Sequence, residues 1–367
     1  MAEAFEPLAQ VRKEFKVNWY RSPIENSRLK QLTKRTDIRG FVQTIGYLLL
    51  VAATASVAFY FFTNRMWLAF AVALLVHGTI YCFNPGLITH EFSHGTVFKT
   101  RWLNAFFLRL FSLLGLVNFH HYKRSHTYHH IYTLHLRGDR EVVLPGNPSL
   151  NPVKLFWLFT FNVPLFWLIL KNTVKLAVLG KFDREWSEAI FPDDDPRGQN
   201  DARKWAWAIL LFHAAVLVLA AVFNLWALPV LITLANFVGN WWRHFVGITM
   251  HTGLRDSVPD FRKCCRTVKL DPLSRFIYWH MNYHTEHHMF AAVPCYNLGK
   301  LSKEIASDMP KPRTLPEAWR EMREAYRKQK DDPTYQYDTP VPDASGKDEK
   351  QDRLAASIGD LAPESLT

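Results

Sequence analysis

Nine of the histidines fall into three clusters and a singleton, and their spacing is the most informative feature of the sequence. His90-Glu91-Phe92-Ser93-His94 holds an i, i+4 pair, which on a helix puts two imidazoles on one face. His126-Thr127-Tyr128-His129-His130 and His284-Thr285-Glu286-His287-His288 combine i to i+3 with i to i+4 spacing, so each directs three rings from one helix toward a common point. A single buried histidine is ordinarily a hydrogen-bonded core residue; repetition at ligand spacing reverses that expectation. Eight imidazoles exceed the four ligands of a zinc site and suit two six-coordinate ions that keep positions open for water or dioxygen.

The other chemistry-bearing residues narrow the field. Cys82, Cys264, Cys265 and Cys295 form no C-x-x-C pair, which argues for a reducing compartment and against a disulfide scaffold or a cysteine zinc site. An apolar content of 49%, with 14% aromatic residues, excludes a disordered or collagen-like chain and is the composition of a protein with membrane interfaces.

The elements that must position the histidines follow from charge distribution. Residues 41–63 run without a charge, long enough at about 1.5 Å per residue to cross a hydrocarbon core of about 30 Å. After Asn64-Arg65-Met66 a second uncharged run, 67–89, returns His90 to the side where the chain began. A second hairpin is expected from 205–223 and 226–250, joined without Lys or Arg. Residues 1–40 hold nine Lys or Arg, so the positive-inside rule puts both termini in the cytosol. Residues 103–119 and 155–170, apolar but interrupted at Arg109 and Pro164, are expected in the interface or beneath the spans, with two extra spans as the alternative. The expected fold is an all-α integral membrane protein, with four transmembrane helices in two hairpins and a cytosolic helical cap carrying the histidine clusters.

Four segments result: a basic cytosolic stretch at 1–40, a membrane domain at 41–310, a cytosolic helix at 311–330 and an acidic tail at 331–367. The tail has nine acids against three bases, cannot bury an apolar face and is expected to be disordered. Without its net −6 the chain's +11 becomes +17, a charge suited to anionic membrane lipids or to an acidic soluble partner, with no call for nucleic acid.

HEFSH, HTYHH and HTEHH, in that order, resemble the three histidine boxes HxxxH, HxxHH and HxxHH of the membrane fatty acid desaturase and hydroxylase superfamily. The resemblance covers about residues 40–310, and RTVKLDPLSRFIYWHMNYHTEHHMF is similar to the third-box region of bacterial acyl-lipid desaturases. It implies a non-haem di-iron centre at the cytosolic face of a four-helix bundle, ligated by His90, His94, His126, His129, His130, His284, His287 and His288. The family's further ligand near the end of the fourth span corresponds to His251 in Met250-His251-Thr252-Gly253-Leu254. His244 is its rival on nearly the same helical face; His251 is preferred because His244 lies about two turns deeper. In some relatives an Asn one turn before this ligand holds a water on one iron; Gly247 stands there in this chain.

His121, His244 and His280 are candidates for orienting the ligands rather than binding metal, and His120 and His135 also flank the boxes. Glu91, Asp139, Glu141, Asp256 and Glu286 are acids close enough in sequence to accept the second N–H of an imidazole.

An unactivated C–H bond offers neither an acidic proton nor an electrophilic carbon, so a metal centre with dioxygen is the chemistry that attacks it. The resemblance therefore implies desaturation of a fatty acyl or other lipid chain, with two irons, dioxygen and an external electron donor, a ferredoxin or small cytochrome. Hydroxylation of an alkyl, sphingolipid or carotenoid substrate begins with the same hydrogen abstraction and is the alternative. His90-Glu91-x-x-His94 also satisfies the HExxH pattern of zinc peptidases, but that reading leaves two clusters without a role. A metal transporter needs polar residues along a mid-membrane path, where only His77, His213 and His244 are on offer.

Overall fold

A computed structural model of the chain describes residues 6–142, 146–182, 189–191 and 195–342. Its regular structure is helical apart from a parallel pairing of Val268–Lys269 with Arg313–Thr314 among the described residues. Three helices are long and apolar enough to cross a membrane: Asp37–Thr63, Trp67–Ser93 and Pro196–Phe223. Only 11% of the most apolar window of the first is buried within the protein, so most of its Leu, Val and Phe surface requires hydrocarbon around it.

Asp37–Thr63 begins where the Thr36 side chain accepts from Arg39 N. It packs along the antiparallel second span, with Tyr47 Oη donating to Ile80 O at 3.0 Å. His77 has both ring nitrogens engaged, with Thr54 Oγ1 and Leu231 O at 2.9 Å each. His213 is held likewise by Thr233 Oγ1 and Leu113 O. Both are packing residues with satisfied nitrogens, and neither marks a polar path. The helix Pro196–Phe223 starts well ahead of its apolar run because the Asp195 side chain caps Gly198 N and Pro196 presets the first turn.

The expected fourth span, 226–250, is not one helix. Pro229–Thr233 is a π turn, Leu234–Phe237 a 3-10 turn, and α-helix resumes only over Trp241–Gly247. Pro229 withdraws a backbone donor, and Gly239 adopts a φ of 63°, open to glycine at little cost. The break is wedged against the second span: a Cβ on Gly78 would lie 2.5 Å from Val238 O. The freed backbone carbonyls find donors, as membrane burial demands: Asn162 N donates to Phe237 O at 2.8 Å and Asn236 Nδ2 to Thr233 O at 3.2 Å.

Both doubtful apolar stretches are also interrupted. Arg101–Leu114 buries Leu103, Phe107 and Phe111, exposes Trp102 and Phe106, and bends by 110° into Phe119–Tyr132. Residues 155–170 are split between Pro152–Phe159 and Val163–Leu179, each capped by an asparagine side chain, Asn151 or Asn162.

The N-terminal segment lies against the histidine-bearing core: Trp19 stacks on Phe261 and donates Nε1–H to Ile131 O at 2.8 Å. Near the other end, Leu315–Lys328 is an amphipathic helix that starts at a capping box of Thr314 and Glu317. Disorder from residue 331 onward does not hold as far as 342. Tyr337 N donates to Gly253 O at 2.8 Å, Asp338 lies between Arg255 and Lys263, and Thr339 is 1% exposed. The acidic segment packs because it meets basic partners and a free backbone edge. Residues 343–367, the remainder of the expected tail, lie outside the described residues.

Candidate metal centre

Each histidine cluster sits on a short, firmly placed element. His90 lies on the Thr89–Ser93 turn of helix that ends the second span, directly after a π segment, Asn84–Ile88, with Pro85 in its first turn. His126, His129 and His130 ride on Phe119–Tyr132, which starts where the Asn118 side chain accepts from His121 N. His284–Met289 follows a tight turn in which Trp279 and His280 take φ of 47° and 59°, with the Trp279 ring fully buried. His251 stands in the turn after Trp241–Gly247.

These elements bring all nine expected positions into two sets. The ligand-capable atoms of His90, His94, His126, His130 and His287 lie within 4.8 Å of one another, and those of His129, His251, His284 and His288 form a second set by the same measure. Helical spacing divides the boxes: i, i+4 partners share a set, while the i+3 residue faces the other. The stacked rings of His130 and His288, centroids 4.3 Å apart, join the two sets.

The outer ring nitrogens decide which atoms face inward. His251 Nδ1 donates to the Cys264 carbonyl at 2.9 Å, leaving a lone pair on Nε2. Thr133 Oγ1 gives its proton to His129 O, so it accepts from His288 Nδ1, and His288 Nε2 also presents a lone pair. Asp139, held by the backbone N–H groups of Leu134 and Glu141, takes His129 Nδ1 at 2.8 Å. Glu141 does the same for His126, and Glu91 for His90. These partners fix tautomers whose Nε2 atoms converge.

The convergence fits a cation. Both His251 Nε2 at 2.8 Å and His288 Nε2 at 3.1 Å confront His284 Nε2, which has at most one proton to offer two lone pairs. His126 Nε2 faces His94 Nε2 at 3.0 Å, and His90 Nε2 is buried with no partner. Burial and the neighbouring imidazoles hold His126, His130, His284, His287 and His288 well below the usual histidine range, and His251 down at about 3. At physiological pH these rings are neutral, the form in which an imidazole can offer a lone pair to a metal. Asp139 stays below its ordinary value although burial pushes it up, because His129 and the backbone donors outweigh that cost. Imidazole-only donor sets suit the divalent transition metals that imidazole binds, iron, zinc, copper and nickel among them.

The remaining candidates are sorted by the same geometry. Glu286 takes a hydrogen bond from Thr267 Oγ1 and reaches no ligand ring. His121 packs between Phe182 and Phe191, and His280 belongs to the turn before the third box. His120 packs on Phe119, and His135 bonds the carbonyls of Tyr132 and Thr133. Asp256 is tied through its backbone N–H to Gln336. His244 belongs to neither set; it lines a cavity of about 650 Å³ that opens beside His90, His126, His129, His251 and His284. In that wall a Cβ on Gly247 would meet nothing within 4 Å. Sequence reasoning missed Thr133 and the Cys264 carbonyl. Thr133 stands four residues after His129, a spacing that signals a shared helical face; the carbonyl has no side-chain signature.

A family profile described as Fatty acid desaturase matches residues 65–320, more than half of the chain. The chain belongs to the fatty acid desaturase family. No curated protein matches the sequence. The matched range takes in every histidine of both sets. Membership makes the protein an oxidoreductase of lipid metabolism in a membrane, from a family of desaturase and hydroxylase type known for di-iron centres. The peptidase reading is set aside with it, since Glu91 is committed to His90 Nδ1.

Proposed function

We propose that the protein introduces a double bond into a fatty acyl or other lipid chain, using dioxygen, two irons and an external ferredoxin or small cytochrome. The observation that carries the reading is the pair of all-imidazole sets beside one cavity. His90, His94, His126, His130 and His287 would hold one iron, and His129, His251, His284 and His288 the other. Iron bound there supplies the activation of dioxygen that removes hydrogen from an unactivated C–H bond.

The chain's own residues do the positioning. Asp139, Glu141, Thr133 and the Cys264 carbonyl fix the rings from outside, so each lone pair points inward before any metal arrives. Leu87, Trp157, Leu158 and Met250 in the cavity wall keep water from the reacting carbon. In this reading the membrane domain spans 41–310 and crosses four times. The broken stretch 226–250 makes the fourth crossing, both termini lie in the cytosol, and the basic 1–40 segment and the 311–330 helix join the cytosolic cap.

The test is lipid analysis of a host expressing the protein, by mass spectrometry with double-bond location. Loss of one hydrogen from each of two adjacent carbons, with the double bond at a single location, is expected. Gain of one oxygen atom instead would transfer the protein to the hydroxylases, and unchanged lipids in an iron-loaded, donor-supplied host would overturn the reading.

A further inference from the structure

The cavity wall is not uniformly apolar. Besides imidazoles of the two sets it carries Arg243, His244 and Lys154. Arg243 Nη2 donates to Asn240 Oδ1 at 3.2 Å, its side chain also reaches Cys82, and its Nε is buried with no partner. His244 Nε2 is buried and unpartnered as well. Lys154 makes one bond, from Nζ to Asn147 O at 3.2 Å. Among the described residues no carboxylate pairs with Arg243 or Lys154, and the acid in this wall, Glu141, is committed to His126 Nδ1.

Arg243 is only partly buried, but its buried Nε has no partner, and the planar guanidinium fork matches carboxylate and phosphate oxygens. A purely hydrocarbon ligand gains nothing from such a wall, which leucines would fill better. We infer that Arg243, with His244 and Lys154, binds an anionic group carried by the substrate, a carboxylate or a phosphate, so that the cavity takes chains with a charged head. Held there, the head sets which carbon of the chain comes to lie beside the imidazole sets. This rests on the lipid-chain reading above and adds the polar end of the molecule to it.

Calorimetric titration of the iron-loaded protein in neutral detergent, with dodecanoate, dodecyl phosphate, dodecanol and methyl dodecanoate, tests the site. The anionic chains should bind at least ten-fold more tightly than the neutral ones, and the better of the two anions identifies a fatty acid or a phosphorylated head as the source. Arg243→Gln should abolish that preference while leaving the affinity for methyl dodecanoate unchanged, which also shows the variant folded. Lys154→Gln, on a partly exposed side chain, should reduce the preference by about three-fold, and serves if Arg243→Gln does not fold. Equal binding of neutral and anionic chains, or an undiminished preference in the variants, would overturn the anion site and leave the lipid-chain reading standing. Binding of no chain at all would overturn both.

Discussion

Arg266 donates Nε–H to Glu321 Oε2 at 2.6 Å, and through that bond the C-terminal helix holds the turn that carries His251. The same guanidinium gives Nη1 to the carbonyls of Thr249 and Thr252, on either side of the histidine, while Arg266 N donates to Met250 O. Arg266 is 1% exposed. Removing one partner of such a buried pair costs about 3–5 kcal/mol. Arg266→Leu is therefore expected to lower both thermal stability and iron content. Arg266→Leu with Glu321→Leu should recover part of the stability but not the iron, since the carbonyls around His251 stay unclamped. Full iron in the single variant would refute the clamp.

The choice between His251 and His244 is open to a direct measurement. His251→Ala removes a member of the second set and should deplete iron and abolish product. His244→Ala should keep its iron, because its ring lines the cavity outside both sets. Iron per chain, determined for both purified variants, decides the matter; depletion in His244→Ala with a full complement in His251→Ala reverses the assignment.

The acids around the site should differ sharply in weight. Asp139→Asn and Glu141→Gln each loosen a ring that faces the cluster and should cost roughly 10 to 100-fold in metal affinity or activity. Glu286→Gln, which bonds Thr267 and no ligand, should leave metal affinity within a few-fold of the parent. Competition with a chelator of known affinity orders the three.

Acid should weaken the metal-free fold early. His251 titrates at about 3 in the folded chain because burial disfavours its charged form, whereas an unfolded histidine titrates near 6.5. Below about pH 6.5 the unfolded chain then binds protons that the folded chain refuses, so stability falls with pH until the folded ring titrates near pH 3. His126, His130, His284, His287 and His288 add to the same slope. Thermal melts of the chelated protein at pH 7.5, 6 and 5 should show a steadily falling midpoint. A flat profile would mean that these rings are open to water.

A chain ending at Pro342 should melt at a higher temperature than one ending at Lys330. The difference is the Tyr337 bond to Gly253 and the pairing of Asp338 with Arg255 and Lys263 beside the His251 turn. Identical melts and identical iron content would show that this segment contributes nothing.

The meeting of the histidines was legible because helical spacing is a statement about direction, and i, i+4 partners such as His126 and His130 share a face; the split that sends His129 to the other set was not, since spacing alone reads as all three rings of a box converging on one point. The path of 226–250 was not, since apolar composition reports the solvent a segment wants and says nothing about its backbone. Pro229, Gly239 and the paired asparagines Asn236 and Asn240 carried that signal, but only the close approach at Gly78 gives it meaning. Net charge misjudged Asp338 for a related reason. A count of acids over a whole tail ignores the two cations that one of them meets.

The π segment Asn84–Ile88 sets the phase of everything after it. Each residue turns an α-helix by about 100°, so one residue fewer between Tyr81 and Thr89 would rotate His90 and His94 together, leaving their mutual spacing intact and swinging both rings off the cluster. Insertions and deletions there act as a dial rather than as damage: the span would still form, still cross the bilayer and still carry HEFSH. Among homologous chains, the length of this stretch should therefore be held fixed even where its residue types drift.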